Sequence, residues 1–223
     1  MATRNLLIQT FAGAVLIVFS TGLAFAASPS TEKNGKLQFM ENCAICHQDD
    51  AIGVPGMAPS LTNQELLNTS SDRFLMGTIR DGRDETGMAP FAHLGRQNVR
   101  DIVDYLRSFE KGANRSAEID DQPDAHGDPR LGELWYDNIC STCHGVSGDG
   151  YMAGGTGTAI GLPGFLDKVS DGFIRETIKK GRSNTRMLPF QGPTSLADLS
   201  DREIDDIIVY LRELGERQVE EED

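Results

Sequence analysis

The sequence is short of basic side chains, and that shortage already excludes one class of partner. Its 223 residues include 21 lysines and arginines against 34 aspartates and glutamates, a formal charge of −13. A nucleic-acid-binding protein needs a basic face to neutralise phosphates, so this class is excluded. The same charge disfavours attraction to an anionic membrane surface. A content of 39% hydrophobic and 25% charged residues is typical of a folded globular chain and argues against wholesale disorder.

Long apolar stretches are also rare, and the one present lies at the N-terminus, over roughly residues 6–25 after Arg4. It ends in an Ala-Phe-Ala triplet at residues 24–26, and a polar run follows. A positive start, an apolar middle and a small-x-small end are typical of a secretory signal peptide, so residues 1–26 are predicted to be one, cleaved after Ala26. An uncleaved membrane anchor is the alternative, because the stretch approaches spanning length.

Cysteine is almost absent, and all four cysteines belong to two Cys-x-x-Cys-His motifs, Cys43–His47 and Cys140–His144. Identical motifs in the two halves of a chain suggest an internal repeat. Matched pairs around the motifs confirm that the sequence is written twice: Gly35/Gly132, Phe39/Tyr136, Phe74/Phe173, Gly82/Gly181, Arg83/Arg182, Met88/Met187, Pro90/Pro189, Phe91/Phe190 and Tyr105/Tyr210. We therefore expect two copies of one structural unit in tandem.

Each repeat has three predicted helices and no alternation of polar and apolar residues that would indicate a strand. The last helix of each repeat carries a narrow apolar stripe at positions i, i+3, i+4 and i+7. The predicted fold class is all-α. The predicted organisation is a first domain over residues 32–112, an acidic linker over 113–127, a second domain over 128–216 and an acidic tail over 217–223.

Two thiols one helical turn apart, followed at once by an imidazole, suit covalent attachment of a haem. The thiols add to the two vinyl groups, and the histidine ligates the iron. The chain has two such sets: Cys43, Cys46 and His47 in the first repeat, and Cys140, Cys143 and His144 in the second. A shared zinc site would need two separate repeats to converge, and disulfides would leave the histidines unexplained. A thioredoxin-like redox pair would need strands between the helices.

The second axial ligand of each iron separates electron transfer from catalysis. Met88 and Met187 occupy equivalent places in the two repeats, and each precedes an x-Pro-Phe sequence that stiffens its loop. Methionine usually fills core space, but the match between these two favours a ligand role. His93, whose counterpart is a glycine, and Met57, which has no counterpart, are the alternatives in the first repeat.

A haem-ligating histidine also needs an acceptor for its other ring nitrogen. Pro59 and Pro163 lie in the loops after the two motifs and are the candidates to present a backbone carbonyl there. Both could instead be ordinary loop prolines, and spacing alone does not decide between the two interpretations.

Each repeat resembles a class I cytochrome c. The shared features are a first helix with a glycine and an aromatic residue, the Cys-x-x-Cys-His motif, a proline-containing loop, a Met-x-Pro-Phe loop and a last helix ending in Tyr-Leu-Arg. The resemblance covers about residues 32–110 and 129–215. Two such domains in one exported chain are similar in architecture to the bacterial dihaem cytochromes of the cytochrome c-four type, although the first loop is shorter and the linker is acidic.

The resemblance implies that each domain wraps one covalently bound haem c, with two haems per chain. It also implies the functional residues: axial pairs His47/Met88 and His144/Met187, thioether cysteines Cys43, Cys46, Cys140 and Cys143, and carbonyl acceptors Pro59 and Pro163. With both axial positions filled, no site on either iron is open to a substrate, and we expect no catalytic residues.

The expected function is therefore electron transfer in the periplasm, between a respiratory donor and a terminal oxidase or reductase. A haem-bearing subunit of a larger dehydrogenase or oxidase complex is the alternative, and a dihaem enzyme is less favoured. Residues 128–223 hold 18 acidic and 10 basic side chains, which predicts a redox partner with a basic docking face. Membrane contact is expected only through a membrane-embedded partner or a retained N-terminal segment.

Overall fold

The computed structural model describes residues 29–222, and within this range the chain is helical, with only an isolated bridge between Val54 and Ala58. The predicted all-α fold is confirmed. The predicted signal peptide lies outside the described residues. In chain order the helices are α1 (Pro29–Asn42), α2 (Ala44–His47), α3 (Gln64–Thr69), α4 (Asp72–Asp81), α5 (Gly95–Arg107), α6 (Ser116–Asp120), α7 (Pro129–Trp135), α8 (Ser141–His144), α9 (Pro163–Leu166), α10 (Asp171–Lys180) and α11 (Asp201–Glu222).

Shorter turns complete this set, with 3-10 turns at Ala92–Leu94 and Gly150–Ala153 and a π-helical turn at Tyr136–Cys140 that joins α7 to the second motif. Among residues 29–222, no helix combines the length and the apolar character needed to cross a membrane.

The middle helices, α4 and α10, begin and end in the same way in both repeats. Ser71 and Ser170 stand at the N-caps, and each hydroxyl accepts a hydrogen bond from the backbone N–H three residues on, at 3.2 and 3.1 Å. Gly82 and Gly181 end the helices with φ of 69° and 64°, a conformation that favours glycine. The matched sequence thus fixes matched boundaries.

The first helix of each domain crosses the last helix at a glycine. A Cβ at Gly35 would overlap the carbonyl oxygen of Asp101, and a Cβ at Gly132 would overlap that of Asp206. Neighbouring aromatic rings pair with centroids 5.4 Å apart in both domains: Phe39 with Tyr105, and Tyr136 with Tyr210. α1 against α5, and α7 against α11, therefore form the frame that carries each Cys-x-x-Cys-His motif.

The arginine of each Tyr-Leu-Arg sequence joins three elements. Arg107 donates to the carbonyl oxygens of Leu67 and Ser70 at 2.6 and 2.7 Å and forms an ion pair with Asp72 at 2.8 Å. The second repeat copies this arrangement: Arg212 contacts Leu166, Val169 and Asp171. The last helix is thereby tied to the end of the short helix and the start of the middle helix.

The segment predicted as an acidic linker contains α6 and packs against both domains. Ile119 is fully buried. The Asn114 side-chain amide donates to the carbonyl of Leu67 at 2.9 Å, and Arg175 donates to the carbonyl of Pro123 at 3.3 Å. This packing could not be predicted from the sequence, because a single isoleucine is the buried apolar residue of an otherwise polar stretch.

The segment predicted as an acidic tail also differs, because α11 continues through it to Glu222. Residues 217–222 contain neither glycine nor proline to end the helix. The Gln218 side-chain amide donates to the carbonyl of Ser147 at 2.9 Å, which anchors this extension to the loop after the second motif.

The two domains meet through equivalent residues. The rings of Phe74 and Phe173, which occupy the same place in the repeat, have centroids 5.3 Å apart. Contact between equivalent residues is what an approximate two-fold relation produces. Beside it, the Glu65 carboxylate accepts hydrogen bonds from the backbone N–H and the hydroxyl of Ser183 at 3.0 and 2.8 Å.

Candidate functional site

The histidine of each motif ends a short helix, and a backbone carbonyl holds its ring. Nδ1 of His47 lies 3.0 Å from the carbonyl oxygen of Pro59, and Nδ1 of His144 lies 2.7 Å from that of Thr158. Because a carbonyl only accepts, Nδ1 carries the proton and the lone pair of Nε2 is free to ligate a metal. Within residues 29–222, neither Nε2 atom has a hydrogen-bond partner.

Burial lowers the pKa of His47 and of His144 below the ordinary value of 6.5, and the carbonyl hydrogen bonds oppose part of that shift. Both rings are therefore neutral at pH 7. The neutral ring is the form that binds a metal ion.

Thr158 supplies the acceptor in the second domain, so Pro163 does not have the role that the resemblance implied. Pro163 instead stands at the start of α9, where its missing N–H leaves no donor unsatisfied. Pro59 follows its histidine by 12 residues, Thr158 by 14 and Pro163 by 19. The 12-residue spacing of the first repeat, counted from His144, would have pointed close to Thr158 and away from Pro163.

Gly157 is a further residue of the second site that sequence reasoning missed. A Cβ at this position would lie 2.6 Å from Cε1 and 2.7 Å from Nδ1 of His144. No side chain fits between the backbone and the ring, so glycine lets this loop pass directly against the ligand histidine.

The four cysteines are free thiols placed one helical turn apart in each motif. Burial, helped by the neighbouring thiol of the same motif, raises the pKa of Cys43 to about 11 and of Cys140 to about 12. A redox-active Cys-x-x-Cys pair needs a lowered thiol pKa, so these thiols do not support the thioredoxin-like alternative. The part of the chain that the structure describes also contains no cluster of three or more Cys, His, Asp or Glu side chains suited to a zinc ion.

The loops that carry Met88 and Met187 have the same backbone frame. Each methionine carbonyl accepts a hydrogen bond from the backbone N–H of the arginine five residues earlier, Arg83 at 2.9 Å and Arg182 at 2.7 Å. Each methionine N–H donates to a threonine hydroxyl two residues earlier, at 3.2 Å in the first loop and 3.0 Å in the second. The glycines that end α4 and α10 make room for this turn, because a Cβ on either would collide with the methionine carbonyl.

The alternative ligands in the first repeat differ from this pair in exposure. Met88 and Met187 are half-buried, whereas 61% of Met57 is exposed. His93 is also exposed, and its ring lies 5.9 Å from that of Phe91. Met88 and Met187 are therefore less exposed than either alternative ligand.

The arginines next to these loops lie at the junction of the domains. The Arg83 guanidinium stands 4.6 Å above the ring of Phe165 in the other domain, and Arg182 stands 5.3 Å from the ring of Phe173. Burial lowers the pKa of both arginines to about 10, so both remain charged at pH 7. Nη1 of Arg182 is buried without a hydrogen-bond partner, which fits an anionic group such as a haem propionate.

The residues present thus fit a haem in each repeat: a neutral histidine with a free Nε2, two thiols one turn apart, and a braced methionine loop. A buried, unpartnered guanidinium nitrogen beside the second loop fits the charge of the same group. The fold and the sites define a pair of tandem class I cytochrome c domains with two covalently bound haem c groups.

The chain belongs to the family described as cytochrome c oxidase, cbb3-type, subunit III, whose model matches residues 30–106 and 127–211. The match falls on both repeats. The family assignment therefore covers each domain separately.

Named relatives agree with this assignment. The chain is 27% identical over 199 residues to a cbb3-type cytochrome c oxidase subunit CcoP of Azospirillum sp. (strain B510), covering 81% of this chain and 61% of the relative. It is 31% identical over 192 residues to the subunit FixP of Azorhizobium caulinodans, covering 81% and 59%. The cytochrome c subunit of an alcohol dehydrogenase (quinone) of Gluconobacter oxydans is 32% identical over 79 residues, covering 31% and 16%. The chain spans about three fifths of the length of the oxidase relatives.

Proposed function

We propose that His47 with Met88, and His144 with Met187, are the axial ligands of the two haem irons. The observation that carries this proposal is the matched frame of the methionine loops, in which the same backbone hydrogen bonds fix both residues. The thioethers at Cys43, Cys46, Cys140 and Cys143 would anchor the two macrocycles. Pro59 and Thr158 would orient the histidines through their carbonyls.

Bound by these residues, each haem would supply one-electron chemistry between ferrous and ferric iron, and the methionine ligand would raise its potential relative to two histidines. The protein supplies neutral histidines in one fixed tautomer, methionines on stiffened loops, and two buried cations near the junction of the domains. With no open coordination site there is no place for a substrate, so we propose an electron carrier rather than an enzyme.

The place of this carrier in electron transport is also a proposal. The relatives carry the names of subunits of a cbb3-type oxidase and of a quinone-linked alcohol dehydrogenase. These names favour a chain that works within, or docks on, such a complex and passes electrons from a respiratory donor to an oxidase or reductase. A free periplasmic shuttle is the second candidate, favoured by the apparent signal peptide over residues 1–26.

Partner recognition follows from charge. Residues 128–223, the second domain and the predicted acidic tail, together carry a formal charge of −8. We therefore propose that one partner presents a basic face to this half of the molecule, with association that weakens as salt rises. Stopped-flow rates that do not change with ionic strength would contradict this.

Carbon monoxide binding to the fully reduced protein tests the carrier against the enzyme. If histidine and methionine fill both axial positions of both irons, carbon monoxide leaves the ferrous spectrum unchanged. A spectral change for one haem per chain would identify an open iron and a catalytic role. Copurification from detergent-solubilised membranes, at low and high salt, then separates a bound subunit from a free shuttle.

A further inference from the structure

A basic groove follows the side of α4 that carries Arg73, Gly77 and Arg80, and it lies where the first domain faces the second. It has a volume of about 1130 Å³ and lies between α4, the start of α5 and the turn at residues 167–170. Phe74, Met76 and Val99 contribute an apolar floor. The groove is lined by five basic side chains: Arg73, Arg80, Arg96, Arg100 and Lys168.

Internal ion pairs neutralise only part of this charge. Asp81 lies 2.5 Å from Arg80 and 4.0 Å from Lys168. Three exposed arginines that line the groove have no carboxylate oxygen within 4 Å among residues 29–222: Arg73, Arg96 and Arg100. Asp104, one turn further along α5, interacts with Arg100 over a longer distance. In a chain with a formal charge of −13, this is a local reversal of sign.

The groove, or first crease, has a counterpart in the second repeat between α10 and the start of α11, which we call the second crease. Ion pairs bridge the two helices there. The positions of Arg96 and Arg100 are taken there by Asp201 and Asp205. Asp201 forms an ion pair with Lys179 at 2.9 Å, and Asp205 forms one with Arg175 at 2.8 Å. In the first repeat the corresponding partners are Arg80 and Met76, so neither ion pair can form.

The second crease is also covered by another part of the chain. Arg175 donates to the Gln122 side-chain oxygen at 3.2 Å and to the Pro123 carbonyl at 3.3 Å. These acceptors belong to residues 113–127, a segment with four acidic side chains and one basic. Neutral acceptors of a polypeptide segment therefore cover this crease in the second domain. The same segment contributes only Asp120 to the lining of the first groove.

We propose that the groove of the first domain docks an acidic segment of a partner protein. Its three unpaired arginines would meet carboxylates, and its apolar floor would bury side chains between them. Asp81, Asp120 and Asp167 interrupt the positive surface, which suits a peptide with spaced acids better than a continuous anionic bilayer. Ala92 and Gly95 line the groove a few residues after Met88, so a docked partner would lie beside the proposed ligand loop.

The test is a binding titration of the haem-loaded full chain with fluorescein-labelled deca-glutamate at low ionic strength. The variant R96D/R100D gives the first crease the charges of the second, and K33D/K36D makes the same change of net charge at exposed lysines of α1 outside the groove. Binding should weaken about tenfold in R96D/R100D and less than twofold in the lysine control. Wild-type binding should weaken as salt rises.

Equal loss in both variants would overturn the proposal, because the effect would then be one of net charge alone. Absence of salt-sensitive binding to the wild type would overturn it as well. Phosphatidylglycerol vesicles provide a second probe, and binding of vesicles but not of the peptide would replace a protein partner by a lipid surface. Peptide binding requires no electron transfer, so haem content and potentials test the proposed function separately.

Discussion

Met88 and Met187 are half-buried and lie in turns that share the same hydrogen bonds in both repeats. We expect Met88→Ala and Met187→Ala each to abolish the sulfur-to-iron charge-transfer absorption of one haem and to lower the potential of that haem alone. Redox-resolved absorption spectroscopy measures both effects. Met57→Ala is the matched control, since this methionine is largely exposed and should leave both haems unchanged. An unaltered spectrum in Met88→Ala would contradict the ligand assignment.

Gly157 leaves no space beside His144. Gly157→Ala places a methyl group 2.6 Å from Cε1 of the ring, so the histidine must move away from the Thr158 carbonyl. Overpacking of this kind costs about 1–3 kcal/mol. The spectrum of the second haem should change while that of the first does not. Gly87→Ala serves as control, because a Cβ there meets nothing within 4 Å and its φ is not positive.

The residues of the candidate sites were predictable where the chemistry lies in the residue type. Cysteine, histidine and matched methionine positions followed from the motif and the repeat. The carbonyl acceptors did not follow in the same way, because every residue has a carbonyl and only the path of the loop selects one. Pro59 lies where a proline was expected, whereas the longer, glycine-rich loop of the second repeat brings Thr158 to His144.

The crossing of the first and last helices depends on the absence of a side chain at two positions. Gly35→Ala and Gly132→Ala should each destabilise its domain by about 1–3 kcal/mol, because the new methyl group overlaps a carbonyl oxygen of the facing helix. Denaturant unfolding of the haem-loaded protein measures this. Gly77→Ala is the control within a helix: a Cβ there meets nothing within 4 Å, and the change should stabilise α4 by about 0.5–1 kcal/mol. Equal effects at all three positions would contradict close packing at the crossing.

The three main helices of each repeat were predicted, including the polar α1, whereas α6 and the end of α11 were missed. α5 and the first part of α11 carry the stripe that pairs them with α1 and α7. α6 and the end of α11 depend on single contacts, those of Ile119 and Gln218. A lone apolar or amide side chain in a polar segment gives no periodic signal, so its partner appears only in the folded chain.

The domain junction contains a carboxylate whose charge state should affect stability. Burial raises the pKa of Glu65, but hydrogen bonds from Ser183 and other groups outweigh it and hold the pKa below the ordinary 4.5. A lowered pKa in the folded state stabilises the protein above pH 4.5, and this contribution is lost as the pH falls through the folded pKa. The difference in unfolding free energy between the wild type and Glu65→Gln should therefore have its full size at pH 6 and should decrease as the pH is lowered. A difference that does not change with pH would contradict this account of the junction.

Charge is distributed unevenly over the whole molecule. The second domain and its helical extension are strongly acidic, whereas the groove of the first domain is basic. Surfaces of opposite sign on the two domains would let two partners bind at once without competing.

The central claim is that the chain carries two six-coordinate haems, each between a histidine and a methionine, that exchange single electrons. A spectroelectrochemical titration of the purified full chain tests it most directly, because it counts the haems, reports their ligands and gives both potentials. We expect two one-electron steps per polypeptide, low-spin spectra throughout, and the sulfur-to-iron absorption in both ferric haems. A single step per chain, or a high-spin ferric population at either haem, would contradict it.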